Sequence, residues 1–373
     1  MRPRKQDFIL PEGAYLLSHS VGCLPRAARE AADRFFESWA TEGGEAWDGW
    51  LSSIDDFRRS LAALLDGEAA DFCPQPNISS ALSKILSSLP RRAGKTKLLL
   101  SELDFPSAGF ALAQAERAGY TVDFIPAESD TGSPECWEQR LTPDTQLALV
   151  THVLYGNSRL NPVADVIDCA KRQEVFTVVD VAQSAGVVPI DVREWGADFV
   201  VGSAVKWLCG GPGAGFLWAN PAGVGRFEPT DVGWFSHEDP FEFRIRDFRY
   251  AADARRFWGG TPSVLPYVVA GAGIDVVNRL GVEHVRAHNR ALTERLVSAA
   301  LERGLTLRTP QDPEQRGGTV CVAFKDPQRA CRRLKEAGVF VDVRPAYGVR
   351  FSPHVYNDAE DIERAVAAFD AAA

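Results

Sequence analysis

Between Leu98 and Trp218 the chain repeats one arrangement, a short apolar run followed by a helical or turn-rich stretch and then another apolar run. Lys97-Leu98-Leu99-Leu100, Thr121 to Ile125, Leu147 to Val153, Val175 to Asp180, Phe199 to Gly202 and Gly215 to Trp218 each have the length and apolar content of a buried strand. Ala111 to Ala118, closed by Gly119, and Val163 to Arg172 read as helices between them. A parallel neighbour needs a long crossover, so strands that alternate with helices predict a mostly parallel sheet covered on both faces. The expected class is α/β.

Outside this region the texture differs. Ala27 to Leu65 reads as one helical segment, with apolar residues returning every three or four positions. After about residue 260 come two long helices, Tyr267 to Leu280 and Val282 to Glu302. A small α+β unit follows, with strands at Val320 to Phe324 and Val339 to Val343 and a closing helix from Glu360 to Ala372. The expected organisation is an N-terminal arm (1–15), a large α/β domain (16–259) and a smaller C-terminal α+β domain (260–373), which suits a chain of 373 residues.

Composition excludes several classes of function. The net charge of −9 argues against nucleic acid as a partner, because phosphate backbones call for a basic stripe. Seven scattered cysteines with no CxxC pair suggest neither a disulfide framework nor a zinc site, and fit a reducing cytoplasm. No signal peptide is expected, since Pro11-Glu12-Gly13 interrupts the start. No run of about 18 apolar residues marks a membrane span.

Chemistry concentrates between Val178 and Trp218. Asp180 ends a strongly apolar strand, where open α/β sheets bind ligands. A carboxylate buried there needs a positive partner; the alternative is a helix N-cap. Lys206 follows the next apolar run in Gly202-Ser203-Ala204-Val205-Lys206-Trp207, ahead of Gly210-Gly211-Pro212-Gly213. Burial lowers the pKa of an amine and makes it a nucleophile toward a carbonyl, whereas most lysines simply extend to the surface. The glycines are expected to leave room for a planar ligand. An amine and a carboxylate on adjoining strand ends suit pyridoxal phosphate, which needs one for its aldehyde and the other for its ring nitrogen. Gln183 is placed to hydrogen-bond the phenolic oxygen and Ser203 the phosphate.

Asp180-Val181-Ala182-Gln183 and Ser203 through Lys206 resemble the cofactor site of class V aminotransferase-type enzymes, which have the PLP-dependent transferase fold type I. That group includes kynureninases, cysteine desulfurases and isopenicillin N epimerase-like proteins. Tyr15 to Gly22, Phe105-Pro106-Ser107, Gly233 to His237, Gly260-Thr261-Pro262 and Arg350 to Asn357 resemble its motifs in the same order. The resemblance implies a Schiff base on Lys206 and a phosphate turn at Asn77, Ile78 and Ser79, residues that otherwise read as a helix N-cap. It also implies that Phe105 stacks on the pyridine ring and that Arg350 forks onto a substrate carboxylate, with Arg344 as its competitor. A two-fold homodimer would bring Thr261 to the partner's phosphate. Trp50, Trp234 and Trp258 are candidates for an aromatic substrate pocket, against the plainer reading of core or interface. His152 and His237 read as structural.

The expected activity is that of a class V aminotransferase or lyase acting on an amino acid through an external aldimine. A kynureninase-like hydrolase cleaving at the β-carbon is the specific alternative, and a non-catalytic PLP-binding module the alternative of another class. Kynureninases typically carry tyrosine where Val205 stands and histidine where Gln183 stands. Cysteine desulfurases carry a nucleophilic cysteine shortly before the C-terminal arginine, and none occurs between Gly338 and Arg350.

Overall fold

The computed structural model describes residues 4–372. Seven strands form the central sheet: β1 (Phe72–Gln75), β2 (Lys97–Ser101), β3 (Thr121–Ile125), β4 (Thr145–Thr151), β5 (Phe176–Asp180), β6 (Phe199–Ser203) and β7 (Gly215–Ala219). Their order across the sheet is β1-β7-β6-β5-β4-β2-β3. β7 is antiparallel to both its neighbours; the remaining pairs are parallel. Every residue of β4 and β5 is buried, as expected of central strands covered on both faces.

Six of these strands are legible as apolar runs. β1 is not, because its sequence Phe-Cys-Pro-Gln contains a proline. It is an edge strand, paired only with β7, and there a missing N–H is tolerated.

The expected helix from Ala27 to Leu65 is two helices, α1 (Arg26–Glu42) and α2 (Trp47–Leu65). Gly43 breaks it by taking φ +58°, a conformation that glycine adopts at no steric cost. Further along lie α3 (Ile78–Ser88), α4 (Pro106–Gln114), α5 (Val163–Arg172), α6 (Leu265–Leu280) and α7 (Val282–Glu302). α6 packs against α1 and α2, and its Tyr267, Ala270 and Ile274 share a core with Ile54, Phe57 and Leu61. On this packing we propose that the C-terminal unit begins near residue 282, after α6, instead of at 260.

The C-terminal sheet runs in the order Thr306–Leu307, Val320–Ala323, Gly348–Phe351, Asp342–Arg344. The single strand expected from Val339 to Val343 divides. Val339–Phe340 pairs in parallel with Ala14–Tyr15, and Asp342–Arg344 pairs antiparallel with Gly348–Phe351. Ala14 and Leu16 are fully buried in the C-terminal core. The start of the chain is thereby fastened to its end, and His19 is carried to Ser352 and Asp342.

All seven cysteines are free. Among the described residues no helix is long and apolar enough to cross a membrane, and no three His, Cys, Asp or Glu side chains converge as a metal site.

Candidate active site

Asp180 is the last residue of β5 and Ser203 the last of β6, so the parallel sheet delivers both to the same edge. Lys206 lies three residues beyond, on the turn that follows. Asp180 and Lys206 line one cleft of about 230 Å³, together with Asn77, Ile78, Ser79, Phe105, Gln183 and Ser203. Burial raises the Asp180 carboxyl above the usual range, opposed by the Ala182 N–H, donated to Oδ1 at 2.8 Å, and by Lys206. Burial lowers the Lys206 amine; Asp180 opposes this and Arg350 adds to it. The two groups influence each other without forming an ion pair, so their charged ends stay separated across the cleft.

The N-terminus of α3 forms one wall. Asn77 caps it, accepting the Ser80 N–H at 2.9 Å. The N–H groups of Ile78 and Ser79 open the helix with no acceptor among the described residues. The N-cap and the turn expected to hold the phosphate are thus the same structure. Phe105 precedes α4 and is not core. It is 46% exposed, lies edge-on to Tyr155 with centroids 5.2 Å apart, and its ring centroid is 5.8 Å from Lys206 Nζ. Gln183 is held in place, donating to the His19 carbonyl at 3.0 Å and accepting from Trp207 Nε1 at 3.3 Å.

The glycines after Lys206 do not make ligand space, contrary to expectation. A side chain on Gly210 would meet Ala204 and Ala270 at 2.7–2.9 Å, so this glycine lets α6 approach the turn. Gly211 and Gly213 take positive φ to form the bend into β7.

Arg350 is buried beside the cleft. Its Nε and Nη2 donate to Asp342 Oδ1 and Oδ2 at 2.8 and 2.6 Å, and its Nη1 donates to the carbonyl of Tyr155, a cleft residue, at 2.8 Å. Among the described residues Arg350 makes no pair with the acidic run from Asp358 to Asp361, where Lys5 bridges Asp358 and Asp361. Arg344 is more exposed and reaches Asp342 Oδ2 at 3.3 Å.

Several expected positions fall elsewhere. Trp50 packs with Phe35 and Trp47 between the N-terminal helices and donates to Ser38 Oγ at 3.0 Å, because these residues recur at helical spacing along α1 and α2. The Trp258 ring lies against Phe235 at 5.0 Å while its carbonyl accepts from Lys84. Trp234 joins Phe235 and Phe243 in an aromatic group. None of the three lines this cleft, and Thr261 is exposed outside it. His152 packs edge-on against Trp195, and His237 contacts the carbonyls of Asp239 and Asp247.

The cleft also contains residues that were not anticipated from the sequence. Thr151 and Tyr155 line it, and His19 and Asp342 support it through Gln183 and Arg350. Thr151 had a readable signal, since it ends a buried strand next to that of Asp180. Nothing in the local sequence singles out Asp342.

The family profile of class-V aminotransferases matches residues 53–365. The uncharacterized aminotransferase YcbU of Bacillus subtilis is 31% identical over 351 residues, covering 94% of this chain and 92% of that protein. A kynureninase of Deinococcus radiodurans is 31% identical over 380 residues, covering 98% and 91%. A cysteine desulfurase of Thermococcus onnurineus superposes with a TM-score of 0.87 at 21% identity, covering 100% of this chain and 98% of that one; at this identity the likeness speaks for the fold alone. The chain belongs to the class-V aminotransferase family. It is a pyridoxal-phosphate-dependent enzyme of fold type I, and the cofactor is pyridoxal phosphate.

The cleft residues fit that group. A buried carboxylate with one uncommitted oxygen, a lysine of lowered pKa and an open helix N-terminus are complementary to a planar cation carrying a phosphate.

Proposed function

We propose that this enzyme acts on an amino acid, as an aminotransferase or lyase, with Lys206 and Asp180 as its catalytic residues. The observation that carries the reading is that a buried carboxyl and a half-buried amine share one cleft beside the open N-terminus of α3, with Arg350 bonded to the carbonyl of the cleft residue Tyr155.

When bound, pyridoxal phosphate supplies an electron sink for charge developing at the substrate's α-carbon. Lys206 Nζ is the point of covalent attachment, and its lowered pKa increases the share of neutral amine near pH 7. Once free, the same amine takes the proton from Cα and returns it. The uncommitted Asp180 oxygen would hold a protonated ring nitrogen, whose charge would favour the ionised carboxyl. The Ile78 and Ser79 N–H groups and Ser203 Oγ hold the phosphate. The Phe105 ring covers one face of the cleft, and Gln183 presents its remaining N–H toward the phenolic oxygen. Arg350 orients the substrate carboxylate, which fixes the bond to be broken relative to the ring.

The kynureninase-like alternative draws support from the 31% identity over 98% of this chain. Val205 sets it back, because its side chain brings no hydroxyl beside Lys206. The deciding experiment adds a panel of amino acids to the cofactor-loaded enzyme, follows the absorption of the bound cofactor and identifies products. A 2-oxo acid with the carbon skeleton intact means transamination, and two carbon fragments mean cleavage. If no amino acid perturbs the bound cofactor, the proposal fails and a non-catalytic binding module takes its place.

A further inference from the structure

The group of side chains around Asp342 leaves donors and charge to spare. Asp342 stands opposite Arg350 on adjoining antiparallel strands. Arg350 meets it side-on through Nε and Nη2 and gives one Nη1 hydrogen to Tyr155. A guanidinium carries five N–H donors, so one N–H on each terminal nitrogen remains. Two such terminal donors can meet the two oxygens of a carboxylate.

Asp342 is itself held from behind. His19 Nε2 lies 3.0 Å from its Oδ1, and His19 Nδ1 lies 2.6 Å from Ser352 Oγ, which is 2.7 Å from Thr319 Oγ1. Burial keeps the His19 ring neutral, with a pKa near 4 despite Asp342. The neutral ring therefore donates from Nε2 to the carboxylate and accepts the Ser352 hydroxyl at Nδ1. With Arg344 3.3 Å away, Asp342 lies between two guanidinium groups and balances only one of them. The cluster carries one net positive charge beside the cleft.

We infer that Asp342 is a positioning residue for substrate recognition: it turns the free fork of Arg350 toward the cleft and leaves there the charge of a single carboxylate site. This rests on the reading of Arg350 as the substrate-carboxylate residue. The rival role for Asp342 is a competitor that occupies Arg350 until substrate displaces it, and the two roles predict opposite changes in affinity.

The test titrates the cofactor-loaded enzyme with L-alanine and with L-alaninamide, following the absorption of the bound cofactor. Both probes carry the amine, and only alanine carries the carboxylate. Comparing the ratio of their apparent Kd values between variants cancels their difference in amine basicity. Wild type should favour alanine, and Arg350→Met should abolish that preference. Asp342→Asn should lose about tenfold or more of it with cofactor occupancy unchanged, the order expected for a charge-assisted paired contact. Asp342→Glu, which restores the charge, should recover part. An Asp342→Asn enzyme with the wild-type ratio overturns the inference while leaving Arg350 in its role. One that binds alanine more tightly than wild type overturns it in favour of competition, and a Glu variant no better than Asn overturns it in favour of shape over charge. A wild type without preference, or an Arg350→Met enzyme that keeps it, overturns the reading of Arg350 and this inference together. If Asp342→Asn does not fold, Asp342→Glu against Asp342→Gln makes the same comparison of charge.

Discussion

Thr151 and Asp180 are register partners at the C-terminal ends of β4 and β5, and both line the cleft. Parallel pairing places strand ends of the same polarity side by side, so two residues far apart in sequence become neighbours on one edge. Asp180 has one oxygen bound to the Ala182 N–H and one left over.

Asp180→Asn keeps the shape of this edge and removes its charge. Turnover should fall by orders of magnitude while cofactor affinity falls only modestly, because the phosphate contacts remain. Steady-state rates and cofactor titration read the two effects separately. A variant with near-normal rates would remove Asp180 from its role.

Lys206→Ala should leave the fold intact and abolish covalent attachment. Borohydride treatment of the wild type should fix the cofactor to a peptide containing Lys206, detected by mass, and the variant should show no adduct. Loss of its acid–base function alone is worth roughly a hundredfold to ten-thousandfold in rate. A reducible adduct persisting in the variant would assign attachment to another lysine.

Buried histidines and buried carboxyls act on acid stability in opposite senses. Burial lowers His19 and His354 to about 4 and His152 to about 3. Between the unfolded value of about 6.5 and these folded values the unfolded chain binds more protons, so stability is lost as pH falls. Asp104 is raised to about 7, chiefly by burial, so there the folded chain holds the extra proton and stability rises as pH falls from 7 toward 4. Each histidine's contribution is lost on acidification below about pH 6.5, and Asp104 works against that loss. Asp104→Asn can still accept the Ser101 N–H and removes the opposing contribution. Denaturant unfolding across pH 5–6.5 should show a steeper acid loss in that variant, and an equal or shallower slope would contradict the assignment.

Arg350→Lys should retain bound cofactor but lose most of kcat/KM, since an ammonium cannot make the paired contact. Arg344→Lys should be mild, because Arg344 is 41% exposed and singly engaged with Asp342. The reverse pattern in kinetics would transfer the carboxylate role to Arg344.

Thr261 is exposed and absent from its own chain's cleft. If the enzyme is the proposed two-fold dimer, Thr261→Val should weaken cofactor binding without changing the melting temperature by more than about 1 °C, as for a surface site. Sedimentation supplies the mass. A fully active monomer, or unchanged cofactor affinity in the variant, would count against the shared site.

What the sequence determined by itself follows from short-range physics. Apolar run lengths marked six of the seven central strands, and the polarity of a parallel sheet put Asp180 and the Ser203–Lys206 turn on its ligand-binding edge. The Pro74 edge strand and the true use of Gly210 depended on which neighbours each residue met, and no local pattern encodes a neighbour. Only the tertiary structure joined Ala14–Tyr15 to Val339–Phe340, setting His19 beside Asp342 and Asp342 against Arg350. It likewise withdrew Trp50 and Trp258 from the cleft, because an aromatic side chain serves core and pocket equally well and packing alone decides between them.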